Sequence, residues 1–133
     1  MQVNKIRVLV AEDDEVHAEA ARTTLEQLGC FVDIARDGTQ AVEHFRDRDY
    51  DLILMDWQMP IMDGLEATAL IRSMPGGQGT PIVGTTAGRV QAECLKGGMN
   101  DVMPKPFLFD KTKYILARWT RWTSLPVQRP CEA

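Results

Sequence analysis

Acidic side chains stand directly after two apolar segments of this sequence. Glu12 and Asp13 follow segment 6–11, and Asp56 follows segment 52–55. Short segments that are almost uniformly apolar are typical of strands buried on both faces of a parallel sheet. A carboxylate at the end of a buried strand is costly unless a nearby group compensates its charge. If the two strand ends are neighbours, the carboxylates crowd one site, which would favour a divalent cation and could present a nucleophile.

The cation predicted for this cluster is Mg²⁺. Two unit charges ~4 Å apart at an effective dielectric constant near ~20 repel each other by ~4 kcal/mol. Glu12, Asp13 and Asp56 would therefore either retain a proton or bind a cation. Hard oxygen ligands on loops with room for water favour Mg²⁺ over zinc or copper. Asp14 and Glu15 are assigned instead to a helix start, where acidic residues are favoured.

Lys105 and Thr86 supply complementary chemistry. Lys105 lies between Pro104 and Pro106, and the two rings restrict the backbone on both sides of it. A lysine held in this way can bind an oxygen of an incoming phosphoryl group as a point charge. Thr86 follows another apolar segment, and its hydroxyl suits a second phosphoryl oxygen. An acidic acceptor, a cation, a lysine and a hydroxyl together predict a phosphoryl-transfer site, where positioning and charge neutralisation supply most of the catalysis.

The elements that must position these residues alternate between strand-like and helix-like patterns. The predicted strands are 6–11, 31–35, 52–55, 82–85 and 102–103, and the predicted helices are 15–28, 40–46, 65–73, 89–96 and a last one from 107 or 110 to 122. This alternation predicts an α/β fold, with a doubly wound parallel sheet, helices on both faces and right-handed crossovers. Ligands of such sheets bind at the carboxyl ends of the strands. The residues at those ends are Glu12, Asp13, Asp56, Thr85, Thr86 and Lys105.

Helical spacing predicts which side chains of the first and last helices point inward. In the first helix they are Val16, Ala20 or Ala21, Leu25 and Leu28, and in the last helix they are Leu108, Ile115, Trp119 and Trp122. Cys30 and Cys94 are interpreted as small buried hydrophobic residues. Asp33, inside the second strand, indicates a more exposed strand or a sheet edge.

Size and composition favour one ordinary globular domain. The 133 residues suffice for a single core, predicted at 1–123, and 124–133 is predicted to be a tail or the start of a linker. The net charge of −4 without a long basic run argues against direct nucleic-acid or membrane binding. No apolar stretch approaches the ~18 residues of a membrane span, and the first residues lack a signal-peptide core. The three cysteines, at 30, 94 and 131, have neither metal-ligand spacing nor the pattern of a disulfide framework. Their number and spacing therefore favour the reducing cytoplasm as the location.

The ordered motifs of the chain resemble the receiver domains of response regulators in two-component signalling. They cover residues 6 to about 120, in the segments 8–14, 51–60, 62–68, 81–83, 86–87 and 105–107. The resemblance implies a single-domain flavodoxin-like (β/α)5 fold with strand order 2-1-3-4-5. The sequence of residues 56–68 most resembles receivers fused to hybrid sensor kinases. The resemblance is compatible both with a stand-alone regulator and with a fragment of such a kinase.

The resemblance also implies a phosphoacceptor and its cation ligands. Asp56 would accept a phosphoryl group from the phosphohistidine of a sensor histidine kinase or a histidine phosphotransfer protein. Mg²⁺ would be held by Asp13, by Asp56, by the backbone carbonyl of Gln58 and, through water, by Glu12. The domain would then be a signalling domain, not an enzyme, that catalyses only its own phosphorylation and dephosphorylation.

Three further roles follow from the same resemblance. Thr86 would be the switch hydroxyl, and Lys105 would bind the phosphoryl group. The Lys105–Pro106 bond would be cis, which is a minority state for such bonds. Gly64 would allow a tight turn into the third helix.

The chain departs from the receiver pattern at two places. Val102 stands three residues before the lysine, where many receivers carry Tyr or Phe, so the ring that moves with the threonine is missing. The stretch from Thr86 to Gly98 is shorter than expected by nearly one helical turn. The fourth helix is therefore predicted to be short, displaced or poorly ordered, with a monomer or weak dimer as the result. We expect the domain to relay phosphate more than to drive a DNA-binding output.

Three other function classes fit the sequence less well. A small phosphohydrolase with an aspartyl nucleophile would need a second acid two residues after Asp56, where Gln58 stands, and a cap for its substrate. A degenerate receiver that acts only as a protein-interaction module should lack the acceptor or the lysine, yet Val102 and the shortened stretch keep this alternative open. A flavin or nucleotide site is disfavoured because no Gly-rich loop follows the first strand.

Overall fold

The computed structural model describes residues 5–86, 88 and 91–122. Strands and helices alternate along these residues in the predicted order. Their bounds are β1 (Arg7–Ala11), α1 (Glu15–Gln27), β2 (Phe31–Ala35), α2 (Gly38–Asp47), β3 (Leu52–Asp56), α3 (Gly64–Arg72), β4 (Ile82–Thr86), α4 (Gln91–Lys96), β5 (Asp101–Pro104) and α5 (Phe109–Trp119). The predicted start of the fourth helix at 89, the predicted tail 124–133 and Cys131 lie outside the described residues.

The five strands form one parallel sheet in the order β2-β1-β3-β4-β5, which confirms the predicted topology. β1 pairs with β3, and Asp56 at the end of β3 is directly opposite Thr85 of β4. The carboxyl ends of the strands therefore share one edge of the sheet. β2 is an edge strand, as Asp33 indicated. The Asp33 carboxylate accepts hydrogen bonds from Arg48 (2.8 Å) and Tyr50 (2.6 Å).

Two apolar layers cover the two faces of the sheet. Every residue of β3 is buried, because helices pack against both of its sides. Val8 and Val10 face the layer that contains α1 and α5, whereas Leu9 and Ala11 face the layer that contains α2, α3 and α4. The alternation along β1 follows from the two-residue period of a strand. Cys30 and Cys94 are buried free thiols, which confirms their interpretation as core residues.

Side-chain caps fix where two of the helices begin. Asp14 accepts hydrogen bonds from the backbone N–H groups of Val16 (2.8 Å) and His17 (3.2 Å), so it caps α1 as predicted. Asp63 and Glu66 form a reciprocal capping box at the start of α3, with distances of 2.9 and 3.1 Å. Both caps stand directly beside the carboxyl edge of the sheet, so they hold the loops of that edge in place.

The predicted inward positions of α1 were partly wrong. Val16 is 75% exposed, because the Asp14 cap places it in the first helical turn, which contributes no residue to the core. The buried face is formed by Ala18, Ala21 and Leu25.

The predicted last helix was too long at its C-terminal end, whereas its start at Phe109 lies between the two predicted starts, 107 and 110. Leu108 is the N-cap residue of α5 and is 51% exposed, and the helix ends at Trp119. Trp122 is buried but lies beyond the helix. Its indole N–H donates to the backbone carbonyl of Leu28 (2.8 Å), so it packs through a turn and not through helical periodicity.

Candidate functional site

Three carboxylates converge where β1 and β3 end. Glu12 and Asp56 are buried and Asp13 is exposed, and each offers an oxygen that lies within 4.8 Å of the others. The pairing of β1 with β3 brings them together, because parallel neighbours end on the same edge. The predicted cluster is therefore present, with one face open to solvent at Asp13.

Lys105 reaches into this cluster from the end of β5. Its Nζ atom lies 2.8 Å from Oε1 of Glu12 and 3.2 Å from Oδ1 of Asp56, and its side chain is only 12% exposed. The backbone N–H of Lys105 donates to the carbonyl of Thr86 (2.9 Å), which ties the lysine to the end of β4. The Lys105–Pro106 bond is cis, as the resemblance implied.

Burial and neighbouring charges set the protonation of the site. Burial, followed by the negative charge of Glu12, raises the pKa of Asp56 to about 7, although Lys105 opposes this shift. Burial alone would lower the pKa of Lys105, but its hydrogen bond to Glu12 and the charges of Asp56 and Glu12 outweigh burial and raise it. One buried ammonium thus compensates two buried carboxylates, and further positive charge would stabilise the site.

The loop from β3 to α3 closes around Asp56. The backbone N–H of Gln58 faces Oδ1 of Asp56 at 3.4 Å, and the N–H of Gly64 donates to the carbonyl of Trp57 (3.2 Å). A Cβ atom on Gly64 would collide with the carbonyl oxygen of Asp56. Glycine is therefore required at 64 by the close approach of two backbones, and not only by a tight turn as predicted.

Thr86 lies at the same edge of the sheet but its hydroxyl is already engaged. It is the last residue of β4 and is buried, and its Oγ1 atom accepts a hydrogen bond from the backbone N–H of Gly88 (2.9 Å). The structure thus gives the threonine a partner in the following loop. The hydroxyl accepts in this bond, so its own proton is free to be donated to an oxygen of a phosphoryl group on Asp56.

An open groove of about 920 Å³ adjoins Thr86 on the side of α4. Its lining residues are Thr86, Gly88, Ala92, Glu93, Leu95, Val102 and Pro104. The small side chain of Val102 contributes to this space. Within the described residues α4 comprises Gln91–Lys96, six residues in length. Val102, at the position where many receivers carry an aromatic ring, lines this groove and leaves the space of such a ring unfilled.

Two residues shape the site beyond what the sequence predicted: Gly38, which was not among the candidates, and Thr85, which was predicted only to lie at the carboxyl edge. The backbone N–H of Gly38 donates to the carbonyl of Met62 (2.9 Å), so the start of α2 braces the loop after Asp56. Thr85 is almost fully buried directly beside Asp56, and its carbonyl accepts from the N–H of Trp57 (3.0 Å). The turn motif at 37–38 was the signal that pointed to Gly38, and the polar residue inside a buried strand was the signal that pointed to a closer role for Thr85.

The response regulator receiver domain family matches residues 8–117 of this chain. The chain belongs to this family. Two-component response regulator ORR41 of Oryza sativa subsp. japonica is 42% identical over 121 residues, which cover 86% of this chain and 94% of that protein. The chain is accordingly a receiver domain of two-component signalling.

Solved receiver structures share the fold. The receiver domain of sensor histidine kinase PA1611 from Pseudomonas aeruginosa PAO1, solved with a magnesium ion in its active site cleft, has 38% identity and a TM-score of 0.82, covering 87% of this chain and 98% of that one. The receiver domain of Saccharomyces cerevisiae Ssk1, solved in complex with the histidine phosphotransfer protein Ypd1, has 26% identity and a TM-score of 0.81, covering 92% and 93%.

Other relatives are much longer than this chain. The chain spans only 16% of the length of a probable histidine kinase 1 from Oryza sativa subsp. indica, to which it is 33% identical over 87% of its own length. It spans less than a fifth of each of the first curated relatives it matches. Among the described residues, no helix has the length and apolar character that a bilayer crossing requires.

Proposed function

We propose that this receiver domain accepts a phosphoryl group on Asp56 in a Mg²⁺-dependent reaction. The observation that carries the proposal is the position of the Lys105 ammonium, 3.2 Å from the Asp56 carboxylate and 2.8 Å from Glu12, inside a cluster of three carboxylates. A buried acceptor with a rigidly placed cation beside it is the arrangement that phosphoryl transfer needs. The presence of both groups disfavours a degenerate receiver that only binds proteins.

The described residues fit a magnesium ion. Three carboxylates within reach of one another carry more negative charge than Lys105 compensates, and one of them opens to solvent for water ligands. Asp13, Asp56, Glu12 through water and the backbone carbonyl of Gln58 would hold the ion. When bound, Mg²⁺ would neutralise charge on the carboxylates and on the incoming phosphoryl oxygens.

The chemical step assigns a task to each side chain. An oxygen of Asp56 attacks phosphorus while the bond from phosphorus to the donor imidazole nitrogen breaks, and the electron pair of that bond returns to the ring nitrogen. Lys105 then shifts its contact from the carboxylate to the phosphoryl oxygens, where it stabilises the charge that has moved there. The acceptor must be ionised for this attack. Burial and Glu12 raise the pKa of Asp56 to about 7 in the metal-free site, and a bound Mg²⁺ would favour the ionised form.

Thr86 is the proposed switch residue. Its hydroxyl would leave the N–H of Gly88 and donate to a phosphoryl oxygen, which would reorganise the loop after β4. Because Val102 leaves a groove beside Thr86, this movement proceeds without an aromatic ring that turns inward with it. A short α4 and an open groove favour phosphate relay by a monomer or weak dimer over a dimeric DNA-binding output.

The proposed phosphoryl donor is a histidine kinase or a histidine phosphotransfer domain. The proposed location of this receiver domain is the cytoplasm. Support comes from the similar receiver that was solved with a histidine phosphotransfer protein and from kinases among the relatives. The carboxyl edge of the sheet would face that donor, because Asp13 and the loops around it are exposed there.

Intact-protein mass spectrometry after incubation with acetyl phosphate tests the proposal. We expect one added phosphoryl group with Mg²⁺, none with a chelator and none in Asp56→Asn. Asp110→Asn, which changes an exposed carboxylate of α5, is the matched control and should be labelled like the wild type. Persistent labelling of Asp56→Asn would refute the assignment of the acceptor.

A further inference from the structure

Thr85 carries a buried hydroxyl whose hydrogen-bonding capacity is unused. The residue is 1% exposed, and within the described part of the chain its Oγ1 atom has no hydrogen-bond partner. Other buried threonines differ. The hydroxyls of Thr68 and Thr112 donate to the carbonyls of Gly64 (2.7 Å) and Leu108 (2.8 Å) one turn earlier in their helices. A strand offers no such carbonyl, so the Thr85 hydroxyl needs a partner from elsewhere.

The sheet register places this hydroxyl beside the phosphoacceptor. Thr85 is the direct partner of Asp56 on β3 and of Met103 on β5, and side chains of paired residues in parallel strands stand on the same face. Lys105 follows the last residue of β5, and its Nζ atom lies 3.2 Å from Oδ1 of Asp56. On this face of β3, β4 and β5, Asp56 is therefore the polar residue paired directly with Thr85. The carboxylate of Asp101, which lies two residues before Met103, already accepts from the Trp119 indole (2.9 Å).

An unused buried hydroxyl is unfavourable in the state that the structure shows. Burial without a partner removes the hydrogen bonds that water would provide, and a valine of the same shape would fill the same space without this cost. A hydroxyl that is idle in one state and stands beside a reacting group suits a second state in which it gains a partner.

We propose that the Thr85 hydroxyl is a hydrogen-bonding group of the phosphorylated site. In the structure, the Oδ1 atom of Asp56 is served by the Lys105 ammonium and faces the Gln58 N–H. When a phosphoryl group on Asp56 draws Lys105 to its own oxygens, the buried Asp56 carboxyl loses its contact with the ammonium and can accept a further hydrogen bond. Because Thr85 Oγ1 has no partner among the described residues, the bond would form by rotation of the Thr85 side chain about its Cα–Cβ bond or by a shift of the Asp56 carboxylate toward it. This inference rests on the proposed phosphoacceptor function and adds a residue to it.

Beryllofluoride, a tetrahedral phosphoryl analogue that binds a carboxylate oxygen reversibly, tests the proposal in the presence of Mg²⁺. Tryptophan fluorescence can follow binding because Trp57 adjoins Asp56. We expect Thr85→Val to bind beryllofluoride about tenfold more weakly than the wild type, as the loss of one charge-assisted hydrogen bond predicts. Thr85→Ser keeps the hydroxyl and should stay within about twofold of the wild type. Thr85→Ala, which differs from the serine variant only by the hydroxyl, should behave like the valine variant.

Two further readouts separate this role from a structural one. Affinity for Mg²⁺ alone should be the same in all Thr85 variants, and Thr85→Val should be at least as stable as the wild type in urea. Thr112→Val, which removes a satisfied buried hydroxyl, should lose stability and keep its beryllofluoride affinity.

Three results would overturn the claim about Thr85. They are a Thr85→Val protein that binds beryllofluoride like the wild type, one that loses Mg²⁺ and beryllofluoride affinity equally, and serine and alanine variants that bind alike. A wild type that binds no beryllofluoride would instead refute the proposed phosphoacceptor function.

Discussion

At the scale of single residues, the site depends on one ammonium shared between two buried carboxylates. Lys105 contacts Glu12 and Asp56 within 3.2 Å, and all three side chains are nearly withdrawn from water. Removing one member of a buried charged cluster leaves the others uncompensated, which costs far more than the net contribution of an exposed pair. The cluster is therefore both the reactive centre and a point of structural vulnerability.

Lys105→Met should destabilise the fold in a pH-dependent way. We expect a loss of about 3 kcal/mol in the free energy of unfolding at pH 8, because Asp56 and Glu12 then repel each other without compensation. The loss should shrink at pH 5.5, where Asp56 is protonated below its pKa of about 7. Urea unfolding at the two pH values measures this difference, with Lys113→Met on the exposed side of α5 as the control. Equal losses of unfolding free energy at both pH values would show that repulsion between Asp56 and Glu12 is not the cause.

Asp56→Asn should stabilise the metal-free domain increasingly as the pH rises. Folding raises the pKa of Asp56 to about 7, so the folded state binds this proton more tightly than the unfolded state does. Ionisation therefore reduces wild-type stability between the unfolded pKa near ~3.9 and about 7, by up to ~1.4 kcal/mol per pH unit, and the reduction is constant above that range. The difference in stability between Asp56→Asn and wild type should grow from pH 4 to pH 7 and then level off. A difference that falls with pH would show that the pKa is lowered instead.

At the scale of elements, the close approach of α3 to β3 holds the acceptor in place. Gly64, the first residue of α3, packs against the carbonyl of Asp56, and the Asp63–Glu66 capping box fixes the helix start. The motif around Gly64 predicted a tight turn from the sequence. The backbone contact that makes glycine necessary required coordinates, because it joins two elements and leaves no local sequence pattern.

Gly64→Ala should therefore damage both stability and the site. The added Cβ meets the Asp56 carbonyl oxygen, so α3 or the end of β3 must shift, and we expect a loss of about 2 kcal/mol or more in urea unfolding. Gly79→Ala is the matched control, because a Cβ there meets open space. Comparable stability of the two variants would contradict the close contact between Gly64 and the backbone carbonyl of Asp56.

Helix ends show where periodicity misleads. Val16 and Leu108 match the apolar spacing of their helices but are exposed, since one lies in the first turn and the other caps the helix start. Periodicity alone does not reveal which turns extend past the sheet. Thr86 illustrates the same limit at the site, because its strand-end position was predictable but its bond to Gly88 was not.

At the scale of the whole molecule, the alternation of strands and helices was enough to predict the carboxyl edge and the residues that meet there. Uniformly apolar strands and short connections admit few arrangements, and the strand order followed from the family resemblance. The groove beside α4 was predictable only as a shortened helix and a missing ring. Its extent depends on how Val102, Leu95 and Pro104 pack, which the sequence does not encode locally.

The domain boundary predicted at 123 can be tested by truncation. Trp122 is buried and donates its indole N–H to the carbonyl of Leu28, which joins the segment after α5 to the C-cap of α1. A protein of residues 1–123 should match the stability of the full chain in thermal unfolding. A protein of residues 1–121 should lose about 3 kcal/mol or more through the missing aromatic side chain. A marked loss of stability in the protein of residues 1–123 would place the domain boundary further along the chain.

The most direct test of the central claim is to locate the phosphoryl group. Treatment of the acetyl-phosphate-labelled protein with borohydride reduces an aspartyl phosphate to homoserine, and peptide mapping then identifies the modified position. We predict homoserine at position 56, formed only when Mg²⁺ is present and Lys105 is intact. Modification at Glu12, at Asp13 or at a residue outside the carboxyl edge would contradict the account, as would an undiminished yield at 56 without Mg²⁺.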